Sequence, residues 1–201
     1  MVKKTFFYDD CHDGDRLVAE YIQNTPAAWG QAYNSPYQTY KYTTPGGVQY
    51  CTLMSEPDMA DFELNILLKA TNADAMMGAI LRKARTTTWV AGEFYFWCTG
   101  GNFMLVFTTT SGATPVLSTV AYVVDTTKWH HLRARVQGRY VQGKIWPNDE
   151  PEPDWMISYY IGYNEIRHNG SIALLGTVRD VYFTNIHWTP RPRTGRATVM
   201  P

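Results

Sequence analysis

The sequence predicts an all-β fold, a two-sheet antiparallel sandwich with little helix. Three observations carry this. Short runs of alternating apolar and polar residues recur along most of the 201-residue chain. Turn signals rich in Gly, Pro, Asn and Asp separate them at regular spacing. Helical periodicity is confined to "DGDRLVAEYIQ", residues 13–23, which is expected to form a short helix.

"ADFELNILLKAT" puts Phe62, Leu64, Ile66 and Leu68 on one face. Residues 70–80 fit strand–turn–strand, and "MGAILRKA" continues the second arm. "GEFYFWCTGGNFMLVFTT" reads as a hairpin, with Phe94, Phe96 and Cys98 on one face, a turn at Gly100–Gly101, and Phe103–Phe107 returning. "STVAYVVDTT" is a further run. "HLRARVQGRYVQGKIW" aligns Leu132, Ala134 and Val136, turns around Gly138, and returns with Val141, Gly143 and Ile145. "SIALLGTV" and "DVYFTNIHW" close the series. No repeat or interdomain linker interrupts it, so residues 1–188 read as one domain, followed by the Pro/Arg-rich tail 189–201 with Arg191, Arg193 and Arg196.

Composition narrows the function. Hydrophobic residues are 45% and charged residues 18%, which supports a packed core and argues against disorder. Seven Trp and fourteen Tyr exceed what a core of this size needs, so some rings are expected at the surface. A net charge of zero argues against electrostatic capture of nucleic acid or of an anionic membrane. Cys11, Cys51 and Cys98 form no CxxC pair. They read as buried reduced thiols, with one disulfide plus one free thiol as the alternative. "MVKKTFFYDD" is no signal peptide, and no apolar run has the length of a membrane span. The protein is therefore expected to start near Met1 and to reach any extracellular site by a route other than ordinary secretion.

The stretch Trp129–Trp155 carries the most information. Arg133 and Arg135 face away from Leu132 and Val136, as on a strand packed on a core with its other face in water. The acidic, proline-rich "NDEPEPD" cannot be a central strand, because its prolines lack donors. It must bridge to a strand begun by Trp155, and the flanking rings can pin it by packing.

"W-x-x-L-R-x-R-V-x-G" from Trp129, then "G-K-I-W-P" and "E-P-D-W", resembles the concanavalin A-like, laminin-G-like jelly rolls. "FFYDD", "ADFELNILLK" and "SIALLGTVRDVYFTNIHW" are similar to that family's opening, second and closing strands, so the likeness spans most of residues 5–188. It implies a jelly-roll sandwich like those in bacterial sugar-processing and sugar-binding proteins and in bacteriophage virion proteins. Many relatives hold a structural calcium beside the first strand. By that resemblance Asp9, Asp10 and Asn185 are the candidate ligands here, with Asp13 and Asp15 nearby, although Thr184–Asn185 stands where the family has Asp-Asn. A solvated acidic turn is the alternative, and no other cofactor is expected.

Catalysis is not expected. Glucanases on this fold carry E-x-D-x-x-E on one strand, which lines carboxylates along one face. Glu56, Asp58 and Glu63 have the wrong spacing, and Pro57 interrupts them. Glu63 and Glu93 are isolated strand acids that would have to face each other across a groove. There is no G-x-S-x-G elbow. His130 and His131 point to opposite faces of a strand and cannot chelate one metal, while His12, His168 and His187 are dispersed.

Binding remains. "WGQAYNSPYQTYKYTTPGG" reads as an aromatic-rich loop leading into a strand, with few aliphatic neighbours for its rings. Its Trp29, Tyr33, Tyr37, Tyr40 and Tyr42, with Trp89, Tyr95 and Trp97, are the candidate ligand-binding residues, a stacking surface for glycans. The same rings would equally serve to cover sheet edges or to contact another protein. The resulting expectation is a non-catalytic bacteriophage virion protein, decorating the capsid or sitting on the tail. It would be made in the host cytoplasm and partnered by other virion proteins, by its own copies or by cell-surface glycans. The alternative is a bacterial glycan-active hydrolase or its carbohydrate-binding accessory module.

Overall fold

The computed structural model of the protein describes residues 7–9, 11, 21–23, 29–43, 48–53, 61–84, 91–162, 170–177 and 180–190. Among these the regular structure is entirely strand. The first five strands are β1 (Phe7–Asp9), β2 (Tyr21–Gln23), β3 (Trp29–Asn34), β4 (Tyr37–Tyr42) and β5 (Val48–Leu53). The next five are β6 (Phe62–Ala70), β7 (Met76–Lys83), β8 (Phe94–Thr99), β9 (Asn102–Phe107) and β10 (Val116–Ala121). The last are β11 (His130–Gln137), β12 (Tyr140–Pro147), β13 (Ile157–Tyr160), β14 (Ser171–Thr177) and β15 (Val181–Pro190).

They form two antiparallel sheets. One runs β13-β12-β11-β6-β15-β4-β3, with β1 also paired to β15; the other runs β10-β9-β8-β7-β14-β5-β2. The tight glycine turns fall where the sequence puts them: Gly100, Gly101 and Gly138 all adopt positive φ, a region open to glycine without a Cβ clash.

Strict alternation makes the core. Phe62, Leu64, Ile66 and Leu68 of β6, Phe94, Phe96 and Cys98 of β8, and Leu132, Ala134 and Val136 of β11 all point into one cluster between the sheets. The sheets interlock at Phe96. Its ring occupies the space a side chain would take at Gly143 of β12: a Cβ there would lie 2.3 Å from Phe96 Cε1. Phe103 of β9 stacks on the same ring at 5.6 Å. The three cysteines are buried and form no disulfide.

Several local readings are corrected. The stretch read as an aromatic loop is the hairpin β3–β4, and Trp29, Tyr40 and Tyr42 turn into the core. Rings replace the missing aliphatic side chains there, with Trp29 at 5.5 Å from Tyr42 and 5.8 Å from Phe183. Tyr21–Gln23, read as the end of a helix, pair as β2 with β5; backbone pairing with a neighbour overrides the local pattern. The rest of that helix reading lies outside the described residues. The strand expected to begin at Trp155 begins at Ile157, and the run expected from Ser118 begins at Val116. The closing strand continues to Pro190, where Thr189 and Pro190 pair with Glu63 and Phe62, so two residues assigned to the tail belong to the sheet.

The histidine pair separates as its alternation demands. His131 lies outward, stacked on Trp146 at 4.9 Å, while His130 is fully buried beside Tyr122. Among the described residues neither the His130 ring nitrogens nor the Tyr122 hydroxyl makes a well-formed hydrogen bond. Burial pulls the His130 pKa from 6.5 down to about 4, and the nearby Asp125 carboxylate offsets only part of that.

Two predictions follow from this packing. Gly143→Ala must displace Phe96 and is expected to cost about 1–3 kcal/mol in chemical denaturation, as overpacking does; an unchanged midpoint would show that the sheets do not interlock there. Between pH 6.5 and about 4 the unfolded chain binds a proton at His130 that the folded chain does not. Stability therefore falls as pH drops through that window, by as much as about 3 kcal/mol from this residue. His130→Phe removes that component, so the mutant's pH–stability curve should be flatter than the wild type's; identical slopes would reject the assignment.

Candidate functional site

The outer faces of the two sheets differ sharply. On the seven-stranded sheet, a one-residue bulge decides the chemistry. Ser171 pairs with Lys83 and Ile172 with Leu81, which leaves Arg82 bulged at φ 56°. Gly170 permits this, since a Cβ there would lie 2.4 Å from the Arg82 carbonyl carbon. Without the bulge Lys83 would face the core. With it, Lys83 joins the outer face, and Arg82 lies 3.6 Å from Asp61, the residue that leads into β6 of the other sheet.

Lys83 Nζ donates to Glu93 Oε1 at 2.9 Å, and the Ala84 N–H donates to the same oxygen at 3.1 Å. The Tyr95 hydroxyl donates to Glu93 Oε2 at 2.9 Å and also meets the Thr108 hydroxyl. Lys83, Glu93, Tyr95 and Thr108 are all buried. Burial lowers the Lys83 pKa, and the Glu93 charge opposes that shift. Beside this network Ile80, Tyr95, Val106, Ala173 and Leu175 form a second apolar cluster, on which Trp97 packs half-buried. Among the described residues this face is largely buried, and Lys83 and Glu93 are paired with each other.

The eight-stranded sheet presents a polar, partly open outer face. Arg133 holds Glu63 through Nε at 2.8 Å and also through Nη2, and Nη1 donates to Glu152 at 2.6 Å. Lys144 reaches Glu152 at 2.6 Å and the Pro153 carbonyl at 2.7 Å. The Lys144 hydrogen bond, then Arg133, holds the Glu152 carboxyl below its ordinary pKa. The Trp155 ring lies under Arg135 at 4.5 Å and Lys144 at 4.7 Å, and Lys144 also lies 5.7 Å from the Trp146 ring. Lys128 takes Asp149 at 3.0 Å and Glu150 at 3.5 Å. The acidic loop 148–155 is thus fastened across the face by its carboxylates and its closing tryptophan.

Beyond the loop the face opens. Arg135, Gln142 and Ser158 stand in register across β11, β12 and β13, as do Gln137, Tyr140 and Tyr160. Arg135 Nε donates to Gln142 Oε1 at 2.7 Å, and Gln142 Nε2 donates to Ser158 Oγ at 2.7 Å. Tyr140 and Tyr160 meet edge to face at 5.2 Å and are 55% and 52% exposed. Arg139 lies 5.6 Å from the Tyr160 ring and donates to its hydroxyl at 3.2 Å. The two rows span about 10 Å across the strands and about 7 Å along them.

The residues expected from sequence do not assemble into one surface. Trp29, Tyr40 and Tyr42 are in the core, and Tyr95 is buried within the Glu93 network; none of these four presents a free ring face. Tyr37 is half-buried, edge-on to Trp129 at 5.1 Å. Tyr33, 65% exposed, stands at the β3–β4 hairpin, far along the sheet order from β13. Trp97 faces outward as alternation requires, on the other sheet. Trp89 lies outside the described residues. Tyr140 and Tyr160 were missed: their signal in the sequence is only two tyrosines on outward positions, and their pairing depends on register.

Glu63 and Glu93 occupy the outer faces of different sheets with the core between them, each bonded to its own cation. They cannot supply the pair about 5 Å apart that retaining hydrolysis needs. Of the calcium candidates, Asp9 pairs through its backbone with Ile186, next to Asn185 at φ 48°. Asp10, Asp13 and Asp15 lie outside the described residues.

No protein-family profile matches the sequence, and no curated protein matches it by sequence. Solved structures do match in three dimensions. A carbohydrate-binding module, CBM66 from Bacillus subtilis, aligns with a TM-score of 0.65 at 11% identity, over 85% of this chain and 95% of that one. A Bacillus licheniformis beta-glucanase aligns at 0.63 and 10% identity, over 94% of this chain and 100% of that one. The receptor binding domain of botulinum neurotoxin D aligns at 0.54 and 11% identity, over 86% of this chain and 48% of that one. The protein has the concanavalin A-like jelly-roll fold.

The Lys83–Glu93 pair generates a further prediction. Glu93→Gln and Lys83→Met each leave a buried partner uncompensated and are expected to cost about 3–5 kcal/mol. The double mutant Lys83→Met/Glu93→Gln should cost clearly less than the sum. Additive losses in a double-mutant cycle would show that the two side chains act independently.

Proposed function

We propose that the protein is a non-catalytic carbohydrate-binding jelly roll that holds a glycan on the open rows of β11, β12 and β13. The exposed Tyr140–Tyr160 pair carries this reading. Two large rings more than half exposed, fixed edge to face on a sheet, offer the electron-rich surfaces that sugar C–H bonds stack on. Gln137, Gln142 and Ser158 beside them supply amide and hydroxyl groups for sugar hydroxyls. The similar structures support a sugar-related role, since one is a carbohydrate-binding module and another a beta-glucanase. Placement of Glu63 and Glu93 on opposite outer faces favours binding over hydrolysis.

A place on a bacteriophage particle, as capsid decoration or tail-associated subunit, belongs to the same proposal and rests on the sequence resemblance alone. Mass spectrometry of purified particles from the source of the gene checks it.

The binding reading is tested on a glycan array followed by calorimetry. Tyr160→Ala and Tyr140→Ala are expected to weaken binding by about 10-fold or more, with unfolding free energies within about 0.5 kcal/mol of wild type. Binding that survives both substitutions would place the ligand elsewhere on the molecule.

A further inference from the structure

We infer that the glycan is acidic and that Arg135 reads its carboxylate or sulfate group; this rests on the binding face proposed above. The other cations of that face are already engaged. Arg133 is taken by Glu63 and Glu152, and Lys144 by Glu152 and the Pro153 carbonyl. Arg139 is engaged with Tyr160. Arg135 differs. Its cross-strand neighbour Glu63 bonds to Arg133, and Arg135 turns to Gln142 through Nε alone. Among the described residues its terminal Nη1 and Nη2 meet no acceptor.

The guanidinium is nevertheless held. Trp155 supports it at 4.5 Å, and the Nε bond to Gln142 sets its rotation. A fork immobilised in advance, with both terminal nitrogens unengaged, suits a bidentate oxyanion. It stands in the strand row next to Tyr140 and Tyr160, within the span of a disaccharide. A sugar stacked on the tyrosines therefore brings an anionic substituent of the adjoining residue to Arg135. The row continues from Arg135 to Glu63 on β6, whose carboxylate is bonded to Arg133, while Gln142 and Ser158 on the other side carry no charge.

The test uses three probes on the full chain: oligogalacturonate, its methyl ester with the same backbone and no charge, and a sulfated galactan oligosaccharide. One or both charged probes should bind, more weakly as salt rises, and the methyl ester should bind at least about 10-fold more weakly than its acid, the worth of a charged hydrogen bond. The choice between the charged probes tells carboxylate from sulfate. Arg135→Gln, in a protein that still unfolds cooperatively, should erase the preference for charge so that acid and ester bind alike, and Arg135→Lys should restore it only in part. Equal binding of acid and ester by the wild type overturns the inference but leaves the glycan face standing. Binding of no saccharide, together with self-association in ultracentrifugation that Tyr160→Ala abolishes, overturns both and makes the face a contact between copies of this chain.

Discussion

The interlock of Phe96 with Gly143 is the contact on which the outer surfaces depend. A strand has only two faces, so committing one to the core commits the other to the exterior. Because Phe96 must enter the space above Gly143, Tyr95 and Trp97 must leave the core on one sheet, and Gln142 and Lys144 must leave it on the other. A slip of one residue in β12 would bury the Lys144 ammonium and expose Ile145. That penalty far exceeds anything the outer faces could return, so the inner packing selects the register and the outer faces inherit it.

The two outer faces then diverge for local reasons. On the seven-stranded sheet the bulge at Arg82 carries Lys83 outward to Glu93 and lets Arg82 approach Asp61, which leads into β6 of the opposite sheet. A buried ion pair of this kind contributes little net stability compared with a well-packed apolar substitute, but it is costly to break. It ties β7 to the start of β8. On the eight-stranded sheet the acidic loop 148–155 covers the face only partway. Glu152 draws in Arg133 and Lys144, Trp155 supports Arg135, and beyond it the tyrosine rows stay open. The loop thus closes the middle of the sheet and arranges the edge.

The division between what was legible in the sequence and what was not follows the range of the forces involved. Alternation is local, so the inward sets of β6, β8, β11 and β12, the turns at Gly100–Gly101 and Gly138, and the opposite fates of His130 and His131 were all readable residue by residue. The sandwich followed from them, as did the role of the proline-rich loop and its tryptophans. Aromatic residues were harder to assign. Trp29, Tyr40 and Tyr42 lack aliphatic neighbours in sequence and therefore looked superficial; their neighbours Phe183 and Val181 arrive from β15, more than a hundred residues away.

What the tertiary structure alone decided was partnership. Whether an arginine is spent on a carboxylate or left free depends on which strand lies beside it. Arg133 and Arg135 are two residues apart and look alike in the chain, yet one is bound to Glu63 and Glu152 while the other turns to Gln142 and Trp155. Tyr140 and Tyr160 become a pair only because β12 and β13 align them, and Glu63 and Glu93 cease to be a possible pair because their strands fall in different sheets. A sequence determines which way each side chain of a strand points. Which side chains end up beside one another is set by the register and order of strands, and these emerge only when the whole inner surface packs at once.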